Sequence, residues 1–364
     1  MQKTKRSPAA AFLMRLIRSN VLYLVLITII LAVLAEFLTG HKYFNFQNFR
    51  MLVFIPMVVP GVMLVAVGPL LIGGAIDLST ASQASLSSVV FATAIQFMQN
   101  SSSLSIPQLW QWIIALVLTL CVGAVFGLIN IFFTNVLNFL PFISTIGMAS
   151  IYTGFGNWWT NVNDVAINNE SFARFGSIAY FKLLPILFIF MIALVLIYSY
   201  ILVYTRFGRS AYMCGGNPQA ARLAGLNPKK IRASLFINSG VIAALGGVVW
   251  SAQRKIGNSR AITTGAPNML ALTALILGGT SFYGGTGGVS SGLFGLLLVV
   301  VFDSGMQMFA TQSSFGTYVN TTIKGFILII ALMMDGVKVA RARRALTAAA
   351  IKGHEQRRSD AAEA

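Results

Sequence analysis

Residues 112–133 read WIIALVLTLCVGAVFGLINIFF, an apolar run without a single charged side chain. At a rise of 1.5 Å per residue, about 20 apolar helical residues cross the hydrocarbon of a bilayer, and a buried soluble helix rarely needs that length. Val21 to Leu38 repeats the pattern with one charge, Glu36, near its end. The composition agrees. The 364 residues are 56% hydrophobic and 10% charged, with a mean hydropathy of +0.77, whereas a soluble domain is about 25% charged. The fold class expected is an all-α polytopic membrane protein. Ten apolar segments can be drawn, over 21–38, 51–72, 83–99, 111–133, 142–158, 183–204, 233–251, 268–285, 290–309 and 318–337.

A net charge of +17 would suggest nucleic acid in a soluble chain. Here the basic residues sit between apolar runs, clustered over Lys3–Arg18, Arg206–Arg232 and Lys338–Arg358, as at the cytoplasmic flanks of membrane helices. With the N-terminus inside, five Lys and Arg fall in 1–20, six in 205–232 and seven in 338–364, against seven in all the outer loops. That bias places both termini in the cytoplasm and excludes a nucleic-acid partner in favour of the lipid bilayer. The chain divides into a cytoplasmic segment 1–20, a membrane region 21–337 with a long cytoplasmic loop at 205–232, and a basic tail 338–364. The first apolar run exceeds a signal-peptide core and lacks a small-residue cleavage site, so it is expected to be retained. Trp110, Trp112, Trp158, Trp159 and Trp250 fall near the outer helix ends, where indoles favour the headgroup layer. Two scattered cysteines, Cys121 and Cys214, and two histidines, His41 and His354, offer neither a disulfide nor a metal site; nor do they assemble into the catalytic set of a membrane-embedded enzyme.

Prolines mark the second segment. Pro56, Pro60 and Pro69 lie inside it, and each removes a backbone hydrogen bond and kinks the helix. A carbonyl freed at membrane depth needs a protein partner or a wet cavity. Pro56 and Pro60 therefore nominate this helix as pathway lining, with a packing distortion as the alternative. A short echo, Leu70-Leu71-Ile72-Gly73-Gly74 against Leu275-Ile276-Leu277-Gly278-Gly279, would end two helices at the same face but is too brief to argue duplication.

The loop at 205–232 contains a helix of its own. Gly215-Gly216 reads as a breaker, Asn217 as an N-cap and Pro218 as a first helical residue. Gln219 to Ala224 favours helix, and Gly225 with Asn227-Pro228 stops it. A mere connection could be far shorter. Such a helix suits insertion into a groove on a cytoplasmic partner, with Ala221, Leu223 and Leu226 as apolar anchors; a surface cap joining two spans is the plainer alternative.

This loop, GGNPQAARLAGLNPKKIR, closely resembles that of permeases in the ribose and related sugar ABC importers. Three further segments resemble that family in order. They are Gly74-Ala75-Ile76-Asp77-Leu78-Ser79, then Pro141-Phe142-Ile143-Ser144-Thr145-Ile146-Gly147-Met148, then Leu277-Gly278-Gly279-Thr280-Ser281 followed by Gly284-Gly285 and Gly287. The resemblance spans roughly residues 50–335. Departures fall at Ala75 and Ala81, where the family commonly has glycine and its backbone freedom, and in a more basic outer loop at 253–267. The resemblance implies two permease subunits forming a pathway, separate ABC ATPase subunits, and an extracytoplasmic sugar-binding protein, in a bacterial inner membrane. It makes Gly215, Gly216, Asn217, Pro218, Ala220, Ala221, Leu223, Gly225 and Leu226 the elements coupled to the ATPase. No Gly-Lys dipeptide occurs in the chain, so a Walker A loop is missing. ATP then belongs to a partner, and no cofactor is expected on this chain.

Asp77, Asp303 and Lys324 lie at or within apolar stretches, where charges are paired or functional. Asp303 and Lys324 fall about 9 Å from the same face by helical rise and are expected to pair. Asp77 is placed to cap a helix, with sugar contact as the other reading. Ser79 and Asn130 join it as pathway candidates; Asn135, Asn157, Asn238 and Gln307 offer similar groups. An ion-coupled secondary transporter would require a cation or proton constellation at mid-membrane. Permeases for branched-chain amino acids, nucleosides or furanone-type signals share the ABC architecture.

Overall fold

A computed structural model describes residues 20–100, 106–180 and 184–310, and the single positions 322, 325, 326, 329 and 333. Apart from those single positions, the tenth segment, the basic tail, residues 1–19 and Lys324 of the expected Asp303–Lys324 pair lie outside the described residues. Asp303 accepts a hydrogen bond from Gln307 Nε2 at 3.1 Å.

The architecture is helical. The long elements are α1 (Asn20–Leu38), α2 (Phe46–Ile72), α3 (Thr80–Asn100), α4 (Gln108–Val136), α5 (Pro141–Thr160), α7 (Ile186–Tyr204), α10 (Pro228–Arg254) and α13 (Val289–Ala310). Between them lie the shorter α6 (Glu170–Ser177), α8 (Arg206–Gly216), α9 (Pro218–Leu223), α11 (Ala261–Gly265) and α12 (Pro267–Leu277). Among the described residues, six helices are long and apolar enough to cross a membrane: α1, α2, α4, α7, α10 and α13. α3 and α5, with 21 and 20 residues, match them in length but carry more Ser, Thr and Gln.

The eighth apolar segment, 268–285, is not one spanning helix. α12 has 11 residues, about 16 Å of rise. It ends where Gly279 takes φ +91° and Thr280 N–H returns to Leu275 O at 2.9 Å, and the remainder is a glycine loop. α2 ends identically: Gly74 takes φ +77° and Ala75 N–H reaches Leu70 O at 3.0 Å. Both are Schellman caps, in which a left-handed residue turns two backbone N–H groups onto otherwise orphaned carbonyls. The echo between residues 70–74 and 275–279 is thus a shared stop signal. Ala75 keeps a negative φ and Ala81 lies within α3, so neither departure from glycine strains the backbone.

α2 forms the centre. Every residue from Met57 to Ile72 is buried, against α10, α12, α7 and α13. Pro60 lies in this core, whereas Pro56 is exposed. The turn before Pro56 widens into a π-helix over Arg50–Phe54, a common adjustment at a proline kink. In the same stretch Gln253 Nε2 donates to Ile55 O at 3.1 Å.

α10 lies against α4, α3 and α2, and glycines set those contacts. A Cβ on Gly240 would stand 2.2 Å from Gly123 O, one on Gly127 2.6 Å from Ile237 Cα, and one on Gly247 2.2 Å from Ala84 O. Gly123 and Gly127 are four apart on α4, the small-xxx-small spacing that lets membrane helices touch backbone to backbone. By contrast, Gly147 and Gly154 on α5 have open space where a Cβ would go.

Gly240→Leu is therefore expected to destabilise the detergent-purified protein by at least ~3 kcal/mol, since the backbone it meets cannot give, while Gly147→Leu leaves its melting temperature unchanged. Equal behaviour of the two variants would contradict this packing.

Candidate functional site

One end of the bundle gathers the singled-out motifs. The end of α4 meets the start of α10 there, with Asn135 Nδ2 donating to Lys229 O at 2.9 Å. The five tryptophans occupy the start of α4 and the ends of α5 and α10, at the opposite end.

The α2–α3 turn delivers a buried carboxylate. Asp77, 1% exposed, takes Ser79 N–H on Oδ1 at 2.9 Å together with the Ser79 hydroxyl. Its Oδ2 accepts from Gln83 Nε2 at 3.1 Å and from Asn130 Nδ2 at 3.0 Å. The Ser79 hydroxyl in turn accepts from Gln83 Nε2 at 2.7 Å and Asn130 Nδ2 at 3.1 Å. Stripping a carboxylate of water costs several kcal/mol; four donors offset it, charge-assisted bonds being worth about 1.5–3 kcal/mol each. The local Asp77–Ser79 turn immediately precedes α3, and Asn130 ties that turn to α4. Around it, Leu78 N–H donates to Thr145 Oγ1 of α5 at 3.2 Å, and Asn268 Nδ2 of α12 donates to Leu78 O at 3.1 Å.

Asp77, Ser79 and Asn130, three of the five pathway candidates, thus form one network, while Pro56 and Pro60 lie elsewhere on α2. Sequence reasoning missed Gln83, Thr145 and Asn268. Gln83 stands one helical turn beyond Ser79, a spacing that puts the two on one face. The other amide candidates have partners too: Asn157 Oδ1 accepts from Ser259 Oγ at 2.7 Å, and Asn238 Oδ1 accepts from the Tyr198 hydroxyl at 2.5 Å. Further along α3, hydroxyls form a seam. Ser82 meets Thr153 of α5 at 3.1 Å, Ser85 meets Thr263 of α11 at 3.1 Å, and Ser88 donates to Asn258 O at 3.1 Å.

α9 forms as its residues dictate. Asn217 Oδ1 accepts from Gln219 and Ala220 N–H, both at 3.0 Å, and Pro218 has no N–H that needs an acceptor. Gly225 takes φ +81° while Leu226 N–H returns to Ala221 O at 3.0 Å. Two expectations change. Gly215 and Gly216 are the last residues of α8 instead of a break; the chain turns at Asn217. Ala221 is buried against its own chain, so it is no anchor for a partner. Leu223, 92% exposed, and Ala220 face outward. The thiol of Cys214 just before this turn is pushed up by burial, with Arg232 pulling it down.

Glycine backbones join α8 to two other loops. Gly285 N–H donates to Ile72 O at 2.8 Å. A Cβ on Gly215 would fall 1.9 Å from Ile72 O, one on Gly284 2.8 Å from Gly74 Cα, and one on Gly285 2.5 Å from Gly216 Cα. Three of the four segments behind the family resemblance therefore meet at one point.

The family described as branched-chain amino acid transport system, permease component, matches residues 51–332, and the chain belongs to it. A galactose/methyl galactoside import permease of Haemophilus influenzae is 30% identical over 335 residues, 90% of this chain and 96% of that protein. A fructose import permease of Rhizobium meliloti is 33% identical over 223 residues, 59% of this chain and 60% of that protein. An autoinducer 2 import permease of Photorhabdus luminescens is 28% identical over 316 residues, 85% and 89% of the two chains. No solved structure matches the chain.

Asp77→Ala takes from the buried Gln83 and Asn130 amides the carboxylate oxygen they share and leaves them the Ser79 hydroxyl alone. We expect a loss of about 3 kcal/mol in stability, read as a lowered melting temperature of the purified protein; an unchanged melt would show the network to be dispensable.

Proposed function

We propose that the chain is the membrane subunit of an ATP-driven importer for a monosaccharide, paired with a second permease subunit and driven by separate ABC ATPase subunits. An extracytoplasmic binding protein delivers the solute. In this reading the chain crosses a bacterial inner membrane ten times, the short α11–α12 stretch making the eighth crossing, with both termini cytoplasmic, and α8–α9 faces the cytoplasm.

The observation that carries the reading is α9 itself: a helix capped at both ends, held on its own chain through Ala221 and presenting Leu223 to solvent. Arg206, Arg209, Arg222, Lys229, Lys230 and Arg232 surround it, and no Asp or Glu occurs between Thr205 and Gly288. Such a surface fits an acidic groove with an apolar floor on a partner. The sugar assignment is supported by relatives named for galactose and fructose import and by the hydroxyl seam along α3, which offers a polyol exchangeable hydrogen bonds. Asp77, Ser79 and Asn130 serve this pathway by fixing the start of α3 against α4. The autoinducer 2 relative favours a second reading, a furanone-type signal as cargo.

Vesicles holding this chain, its ATPase and its binding protein are expected to take up labelled hexose or pentose only with ATP; competition by autoinducer 2 alone would select the second reading. Bulky replacements at Gly216 or Ala220 should leave ATP hydrolysis and abolish uptake, and full uptake in both would remove α9 from the coupling role. In a chain with Cys121 and Cys214 replaced, Arg222→Cys should be labelled from the cytoplasmic side only; labelling from outside intact cells would invert the topology.

A further inference from the structure

The loop between α12 and α13 has no part in the reading above, yet its glycine backbone packs directly against the backbone at the ends of α2 and α8. It is closed on itself: Ser281 N–H donates to Thr286 O at 3.2 Å and Gly288 N–H to Thr280 Oγ1 at 3.2 Å. Gly284 and Gly285 take φ +84° and +77°, which turns their backbone toward the neighbouring segments. Gly285 N–H then reaches Ile72 O, the carbonyl that the Schellman cap of α2 leaves without a partner. On its other side the loop grips α8, where the Tyr212 hydroxyl donates to Gly287 O at 2.7 Å. Burial pushes that hydroxyl above its ordinary value, so it stays a donor at neutral pH.

We propose that the Thr280–Gly288 loop is the transmission joint of the transporter, the part through which displacement of α8–α9 reaches the membrane core, with Tyr212, Gly284 and Gly285 as its positioning residues. The inference rests on α9 being the partner-facing element. Side chains in contact can rotate and absorb a push; glycine backbone against glycine backbone has no such slack. A shift of α8 bears on Ile72 directly through Gly215 and on Gly285 through Gly216. Ile72 ends α2, the most completely buried helix, and Gly74 leads within three residues to the Asp77 network that fixes α3 and α4. The loop continues into α12 on one side and α13 on the other. The joint therefore connects the α8–α9 turn to five helices at one place.

The test uses the complete assembly in vesicles and reads solute taken up per ATP hydrolysed, with ATPase co-purification and melting temperature measured on the same samples. Tyr212→Phe deletes one hydroxyl and should keep both the melt and the bound, hydrolysing ATPase while uptake per ATP falls about threefold, the size of one lost hydrogen bond. Gly285→Ala adds a methyl against Gly216 and should lower the ratio about tenfold; Gly147→Ala, on an open face, should leave it unchanged. An unaltered ratio in Tyr212→Phe overturns the joint, whatever Gly285→Ala does to folding. A lowered melt with a normal ratio in Gly285→Ala likewise overturns it, making the loop structural only. If the unaltered chain binds no ATPase, the permease assignment of α9 fails first and the joint falls with it.

Discussion

A helix ends with carbonyls that have no partner of their own, and in apolar surroundings each must find one. At the end of α2 a Schellman turn satisfies two, and the Ile72 carbonyl is left for Gly285 of a loop more than two hundred residues away. That single requirement draws the α12–α13 loop over the end of α2. Because Gly215 occupies the same spot, α8 is drawn there too. The α8–α9 turn owes its position to close backbone contacts at this point.

Close backbone approach recurs in the body of the bundle. α4 and α3 touch α10 through Gly123, Gly127, Gly240 and Gly247. Among membrane helices, lipid tails are as apolar as leucine, so burial alone does not drive association; shape and short-range attraction do. Small residues mark where helices meet within one chain, and the same logic leaves the Gly147 and Gly154 face of α5 open. Polar side chains follow a matching rule. Asp77 is tolerated in the interior because Ser79, Gln83 and Asn130 surround it with donors.

Helix placement was largely legible from composition, since an apolar run long enough to cross a bilayer has few other uses. The α9 helix was equally legible, because Asn217-Pro218 and Gly225 act through their own neighbours. Segment 268–285 misled: hydropathy continues through Leu277-Gly278-Gly279, but a left-handed glycine stops the helix regardless of what surrounds it in the sequence. Gly215-Gly216 misled in the opposite sense. Two glycines look like a break, yet they remain helical, and at Gly215 another backbone fills the space a Cβ would take.

What the sequence alone determined was everything governed by local chemistry: membrane class, the positions of most long helices, and the capped α9 helix. Tertiary structure alone decided which face of α9 is free, that Asn130 rather than Asn135 joins Asp77, and that three glycine motifs distant along the chain form one contact. The reason is range. Caps, turns and hydropathy act over a few residues and can be read in order, whereas a hydrogen bond between Gly285 and Ile72 depends on how every helix between them packs.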